Sequence, residues 1–244
     1  MRTAERAFVL EGAKLVGEAL DAGTPLEAVF VADGTDGVGP LLQRAVDAGA
    51  RVHALGPGVL ERVAGTVTPQ PVLAVAPWCD VPIDTVAGAT LLVVAVDVRD
   101  PGNAGTVLRS AEAAGADAVI FCDGSVDVFN PKTVRASAGS LFHVPTVSGG
   151  DPAEVLEQLG AWGVRRLGTV ARGGTAYDEC DLTSPVALVL GNEAHGLPDG
   201  LDAALDGRIT IPMAGRSESL NVGMAAAVVC FEARRQRRTA LAPA

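Results

Sequence analysis

The sequence predicts an α/β protein in two parts: a small N-terminal α/β sandwich and a larger C-terminal domain with a mainly parallel sheet. Three observations carry that prediction. Strand-length apolar runs alternate with helix-period segments along the chain. In the C-terminal part the runs are continuously apolar, as in Leu91–Val96 and Val186–Leu190, which is the pattern of strands covered on both faces. Between the parts, Ala76-Pro77-Trp78-Cys79-Asp80-Val81-Pro82-Ile83-Asp84 breaks the alternation with prolines and polar residues, as a linker does. The expected boundaries are residues 1–76, a linker over 77–88, and residues 89–244.

Taken in order, the first part opens with a helix over Glu11–Ala22, where Leu15, Val16, Ala19 and Leu20 recur at helical spacing. A short strand at Ala28–Val31, a helix at Pro40–Ala48, a strand at Arg51–Leu55, a short helix at Val59–Val63 and a strand at Val72–Val75 follow. In the second part, strands are expected at Leu91–Val96, Ala118–Cys122, His143–Val147, Arg166–Val170, Val186–Leu190 and Arg208–Ile211. The intervening helices are expected at Ala104–Ala114, Pro131–Ala138, Pro152–Trp162 and Leu220–Arg238. A parallel sheet of this kind holds ligands beyond the carboxyl ends of its strands.

Composition narrows the functional classes. Of 244 residues, 48% are apolar and 20% charged, which suits a folded protein and not a disordered one. No apolar run approaches the length needed to span a bilayer, and Met1–Leu10 carries Glu5 and Arg6 instead of a leader's apolar core. Cys79, Cys122, Cys180 and Cys230 lack C-x-x-C spacing and are read as reduced thiols in a cytoplasmic protein. Neither these nor the scattered His53, His143 and His195 suggest a metal site. Net charge is −10, and neither part is basic: residues 1–80 hold 6 Lys/Arg against 10 Asp/Glu, and residues 81–244 hold 13 against 19. Any nucleic-acid contact must therefore come from local arginines and not from a general basic footprint.

Three loops carry candidate chemistry, each at the end of an expected strand. The first is Asp97-Val98-Arg99-Asp100-Pro101-Gly102-Asn103-Ala104-Gly105, leading to Arg109. It lacks the G-x-G-x-x-G fingerprint of a dinucleotide site. Taken alone, its Asn103 suits a helix N-cap and Arg109 a solvated helix charge. The second is Gly191-Asn192-Glu193-Ala194-His195-Gly196-Leu197-Pro198, with glycines that let backbone approach a ligand and a carboxylate at Glu193. His195 is read as a bystander. The third is Ile211-Pro212-Met213-Ala214-Gly215-Arg216-Ser217-Glu218-Ser219-Leu220-Asn221-Val222, a strand that stops at proline and re-enters a helix behind Ser219 and Asn221.

Together, Asn103-x-Gly105-x-x-x-Arg109, Gly191-Asn192-Glu193-x-x-Gly196-Leu197 and Ile211-Pro212-Met213 with Ser219-Leu220-Asn221-Val222 resemble the three ordered motifs of SpoU-type (TrmH-like) methyltransferases of the SPOUT class. The likeness covers about residues 89–238. Phe8-Val9-Leu10-Glu11-Gly12 and Thr68-Pro69-Gln70-x-Val72-Leu73-Ala74-Val75 resemble the ribosomal-protein-like substrate-binding domain that precedes many members.

That resemblance implies a deep trefoil knot, S-adenosylmethionine as methyl donor, and transfer to a ribose 2′-hydroxyl of RNA without a metal. It implies a cofactor pocket at Thr169, Leu190, Gly191, Ile211, Met213 and Leu220, and catalytic roles for Arg109, Asn103, Glu193, Ser219 and Asn221. It also implies a homodimer in which the C-terminal helix and Arg109 lie at or near the interface. A guanidinium stays protonated in proteins, so Arg109 fits a phosphate clamp that stabilises a developing alkoxide better than a free base. Arg135 and Arg216 are the candidate RNA-binding cations. Ribosomal RNA, of the 23S type, is favoured over transfer RNA by the N-terminal domain. A non-catalytic RNA-binding or assembly protein on the same fold is the alternative from another class.

Overall fold

A computed structural model describes residues 2–63 and 69–240 of the chain. Thr68 of the N-terminal motif and the last residues of the tail, 241–244, lie outside the described residues.

The N-terminal part contains α1 (Arg2–Glu5), β1 (Ala7–Glu11), α2 (Ala13–Asp21), β2 (Ala28–Ala32), α3 (Gly39–Asp47), β3 (Arg51–Leu55), α4 (Val59–Val63) and β4 (Val72–Pro77). Its sheet runs β1-β4-β2-β3, with β4 antiparallel to both β1 and β2, and β2 parallel to β3. The helix expected from Glu11 begins two residues later. Glu11 instead ends β1, where it pairs with Leu73. Gly12 then turns the chain at φ 102°, a conformation that side-chain-bearing residues rarely adopt. β1 escaped the sequence reading because its five residues include a half-polar end and no turn signal precedes them.

The C-terminal part contains β5 (Leu91–Ala95), α5 (Pro101–Ala114), β6 (Ala118–Phe121), α6 (Pro131–Ser137), β7 (Thr146–Ser148), α7 (Pro152–Ala161), β8 (Arg165–Thr169), β9 (Thr175–Ala176), β10 (Val186–Leu190), β11 (Gly207–Thr210) and α8 (Val222–Ala240). The seven strands order as β7-β6-β5-β10-β8-β11-β9, and every neighbouring pair is parallel. The fold is thus the α/β type expected. Two of the expected elements shrink. Pro145 and a 3₁₀ turn at Ser140–Phe142 confine the strand expected over His143–Val147 to Thr146–Ser148. Asn221 holds the last helix back to Val222.

Strand period sorts the core. Leu91, Val93 and Ala95 of β5 face α5 and α8, whereas Leu92, Val94 and Val96 face Leu156 and Leu159 of α7. On the first face Gly105 is required by packing: a Cβ there would stand 2.3 Å from that of Ala136, so α5 and α6 meet backbone to backbone. α8 runs alongside α5 in the same sense, with Gly223 against Thr106 at one end and Arg234 beside Gly115 at the other.

The two sheets share one apolar cluster. Phe8 of β1 lies 4.9 Å from Phe129, and Trp78 stacks on Phe129 at 4.8 Å. Arg135 of α6 donates to Glu11 at 3.0 Å, and His143 is 3.0 Å from Glu18. The segment expected as a linker is therefore a packed strap: Pro77 ends β4, Arg6 lies over the Trp78 ring and pairs with Asp80, and Val86 is buried. Among the described residues no helix is long and apolar enough to cross a membrane.

Candidate active site

β5, β8, β10 and β11 all end at one rim of the sheet, and the three loops singled out from the sequence meet there. Each is shaped by its own local chemistry.

The first loop leaves β5 through Asp97, whose φ of 55° is unusual for a residue with a side chain. Asp100 caps α5 by accepting the Asn103 N–H at 2.8 Å, with Pro101 in the first helical turn. Asn103 is therefore not the cap that its residue type suggested. It sits inside the first turn, and its amide is free to act elsewhere.

The second loop folds tightly back on itself. Asn192 and Gly196 exchange two backbone hydrogen bonds of 2.9 Å. A Cβ on Gly191 would lie 2.4 Å from the carbonyl carbon of Gly196 and 2.5 Å from the Leu197 nitrogen, so only glycine permits this closure. The Asn192 side chain accepts from the Ala194 and His195 N–H groups and donates to the Asp97 carbonyl at 2.9 Å and carboxylate at 3.2 Å. It pins the second loop to the base of the first.

In the third loop Asn221 caps α8, accepting the Gly223 N–H at 2.9 Å. Its remaining amide donates to Asn103 Oδ1 at 2.7 Å, and Asn103 in turn donates to Glu193 Oε1 at 2.9 Å. Glu193 also accepts the backbone N–H groups of Asp100 at 3.1 Å and Arg99 at 3.3 Å. One hydrogen-bonded chain, Asn221–Asn103–Glu193, thus ties the three loops together.

Burial works to raise the Glu193 pKa, but the bonds from Asn103 and from the loop N–H groups outweigh it and hold the carboxyl below its usual range. Glu193 is therefore an anion that braces the loops and a poor proton acceptor. Because its folded pKa is depressed, its contribution is present above the unfolded carboxyl value, roughly 4.3, and is lost as pH falls through the lower folded value. Turnover should accordingly show no Glu193-dependent change from pH 6 to 9. Glu193→Gln should lower kcat by about tenfold, on the scale of one weakened charged hydrogen bond. A neutral-pH inflection that disappears in Glu193→Gln would instead make it a base.

Beside this junction lies a cavity of about 500 Å³, a size suited to a nucleoside-type ligand. Thr169, Gly191, Ile211, Met213 and Leu220 line it, together with Ser219 and Glu193. Leu190 does not: its side chain is fully buried in the core and its carbonyl accepts from the Val96 N–H. The Thr169 hydroxyl donates to the Val189 carbonyl at 3.0 Å. At the far end Arg208 is paired with Asp202. Apolar Ile211, Met213 and Leu220 facing strand-end backbone fit a flat heterocycle, and the polar rim fits its sugar.

The remaining sequence candidates fare differently. Arg109 is exposed on α5, six residues beyond Asn103 and roughly 9 Å along the axis, with no hydrogen bond or ion pair among the described residues. One chain alone does not bring it to the junction. Arg216 is exposed in the third loop and likewise unpaired among the described residues, whereas Arg135 is committed to Glu11 at the seam. Among the described residues no cluster of His, Cys, Asp or Glu is arranged to hold a metal. Burial, aided by Asp80, pushes the Cys79 thiol to about 11, and burial with Asp123 and Asp151 pushes Cys122 to about 12, so neither is poised as a nucleophile. Sequence reasoning missed Asp97, Arg99 and Asp100. The Asp100-Pro101 pair was a readable helix-start signal, but nothing local announced the bonds that cross to the second loop.

Comparison with known proteins shows a consistent set of relatives. Residues 90–231 match the SpoU rRNA Methylase family, and residues 1–74 match the MRM3-like substrate binding domain. A 23S rRNA (guanosine(2553)-2'-O)-methyltransferase, RlmP of Bacillus subtilis, is 36% identical over 96% of this chain and 90% of its own length. The crystal structure of the SpoU methyltransferase AviRb from Streptomyces viridochromogenes superposes with a TM-score of 0.87 at 31% identity, covering 98% of this chain and 93% of that one. Its complex with the cofactor AdoMet gives 0.85 at 30% identity over the same shares.

Proposed function

Because this chain belongs to the SpoU rRNA methylase family, we propose that it transfers a methyl group from S-adenosylmethionine to a ribose 2′-hydroxyl of ribosomal RNA, of the 23S type. The observation that carries this reading is the Asn221–Asn103–Glu193 chain beside the cavity, whose wall includes Glu193. Three loops that are far apart in sequence are joined there by side chains able to orient a hydroxyl and a sugar. The fit of the cavity to the methyl donor is supported by its apolar wall of Ile211, Met213 and Leu220 and by the close backbone at Gly191.

Bound there, S-adenosylmethionine supplies an electrophilic methyl group. The chain's own task is then to hold the ribose oxygen in line and help it shed its proton. Ser219 and the Asn103–Asn221 pair orient the ribose, and Glu193 keeps the first two loops in register. Arg109 holds the neighbouring phosphate and stabilises the developing alkoxide, while a phosphate oxygen or water takes the proton.

The unpaired position of Arg109 supports a homodimer in which the active site is completed across the interface. Met224 and Phe231 are exposed one heptad apart on α8, and the α5–α8 contacts place them on either side of the level of Arg109. Such a stripe is expected to be covered. Phe231→Glu with Met224→Glu should convert the dimer to monomer in light scattering and reduce methylation with it. A double variant of wild-type mass and activity would place the interface elsewhere.

Residues 1–76, with the folded strap after them, form the RNA-presenting part in this reading, and the bonding of the segment before β10 to the C-terminal end of α8 is consistent with the knot. Gln236 donates to the Cys180 carbonyl and accepts from the Leu182 N–H, and Arg237 donates to the Leu182, Ser184 and Thr90 carbonyls. The protein acts in the cytoplasm, where ribosomes are made. Incubation with labelled methyl donor and either 23S or transfer RNA, followed by mapping of 2′-O-methyl positions, tests the whole reading. A single ribosomal site is expected. Labelling confined to transfer RNA would move the substrate, and no labelling of any RNA would remove the activity.

A further inference from the structure

An acidic chain that binds RNA must place its few free cations well, and their whereabouts around the site are informative. Arg135 is committed to Glu11, and Arg208 to Asp202. Arg172 faces Glu218 at 3.5 Å, Arg109 is six residues along α5 from Asn103, and Arg216 is unpaired among the described residues but makes no bond to the junction. Arg99 remains. Its backbone N–H donates to Glu193, so its main chain is part of the junction itself. Its side chain is 71% exposed and uses only Nε, donating to Asp97 Oδ1 at 2.7 Å. Both terminal nitrogens of the guanidinium have no partner among the described residues.

The support behind Arg99 is unusual for a solvated ion pair. Asp97 sits in the left-handed region at φ 55°, and its other carboxylate oxygen accepts from Asn192 at 3.2 Å. The same Asn192 amide holds the Asp97 carbonyl at 2.9 Å. The carboxylate that aims Arg99 is thus fixed by the second loop, and the planar fork is presented outward with its phosphate-matching edge unspent.

Resting on the reading of this rim as the ribose site, we propose that Arg99 is an RNA-binding residue that grips a backbone phosphate flanking the target ribose, with Asp97 and Asn192 as the positioning residues behind it. It supplies the phosphate contact that the chain makes with its own junction, distinct from the one Arg109 brings.

The test is binding of a 23S rRNA fragment that carries the mapped methylation site, measured across a salt series alongside S-adenosylmethionine affinity and thermal midpoint. Arg99→Gln should weaken RNA binding by about tenfold and lower the slope of log affinity against log salt by about one. Cofactor affinity and the midpoint should stay at wild-type values. Arg99→Lys should keep the salt slope while losing part of the affinity, since it retains the charge and loses the fork. Asn192→Ala should raise KM for RNA, and the affinity lost should not add to that of Arg99→Gln in the double variant. Wild-type RNA affinity and slope in Arg99→Gln, with methylation of the fragment intact, would overturn the phosphate grip and leave the methyltransferase reading standing. A wild-type protein that neither binds nor methylates the RNA would overturn both.

Discussion

Arg109→Ala is expected to cut methyl transfer by about 10³-fold while leaving S-adenosylmethionine affinity unchanged. The first half rests on what a guanidinium does at a developing alkoxide, where removal of one preorganised donor costs about 10²–10³ in kcat and loss of the phosphate clamp adds misorientation. The second half rests on position: Arg109 is not among the residues that line the cavity. Single-turnover kinetics and calorimetry separate the two. The exposed, unpaired state of Arg109 in one chain adds a sharper version. Mixing Arg109→Ala with Asn103→Ala should recover activity, because a heterodimer that shares sites pairs the intact Asn103 of one subunit with the intact Arg109 of the other. No recovery on mixing would place Arg109 in the site of its own chain, and near-normal turnover in Arg109→Ala would remove it from the chemistry.

Gly191→Ala should have the second-largest effect, and on binding instead of chemistry. The added Cβ would stand 2.4–2.6 Å from backbone atoms of Gly196 and Leu197, none of which is a flexible side-chain end. The second loop must open to admit it. Opening draws Glu193 away from the Arg99 and Asp100 N–H groups and widens the cavity wall. Overpacking of this kind costs about 1–3 kcal/mol, so S-adenosylmethionine affinity should fall by about 5- to 150-fold. Calorimetric titration reads this directly, and wild-type affinity would show that the loop is not a wall of the cofactor site.

What could be read from the sequence divides along physical lines. β5 and β10 were readable because a strand buried on both faces needs an unbroken apolar run, and Leu91–Ala95 and Val186–Leu190 supply it. The strand-to-loop character of the three site segments was readable for the same reason. β1 was not, since Ala7–Glu11 shows no clean alternation of apolar and polar residues. Asn103 was misjudged as a cap because two good capping residues, Asp100 and Asn103, compete within one turn, and only the geometry shows that Asp100-Pro101 wins. Arg135 looked like a free cation until the fold set it against Glu11, more than a hundred residues away in sequence. Long-range pairing of that kind leaves no local periodicity to detect.

The aromatic seam of Phe8, Trp78 and Phe129 has a further consequence. A tether between two folded parts would let each find its portion of a target separately, and binding would then tolerate many spacings. Here the angle and span between the N-terminal sheet and the reaction rim are fixed before any RNA arrives. If the proposed function holds, such a preset span makes the protein a caliper, expected to select an RNA by its folded dimensions more than by its base sequence.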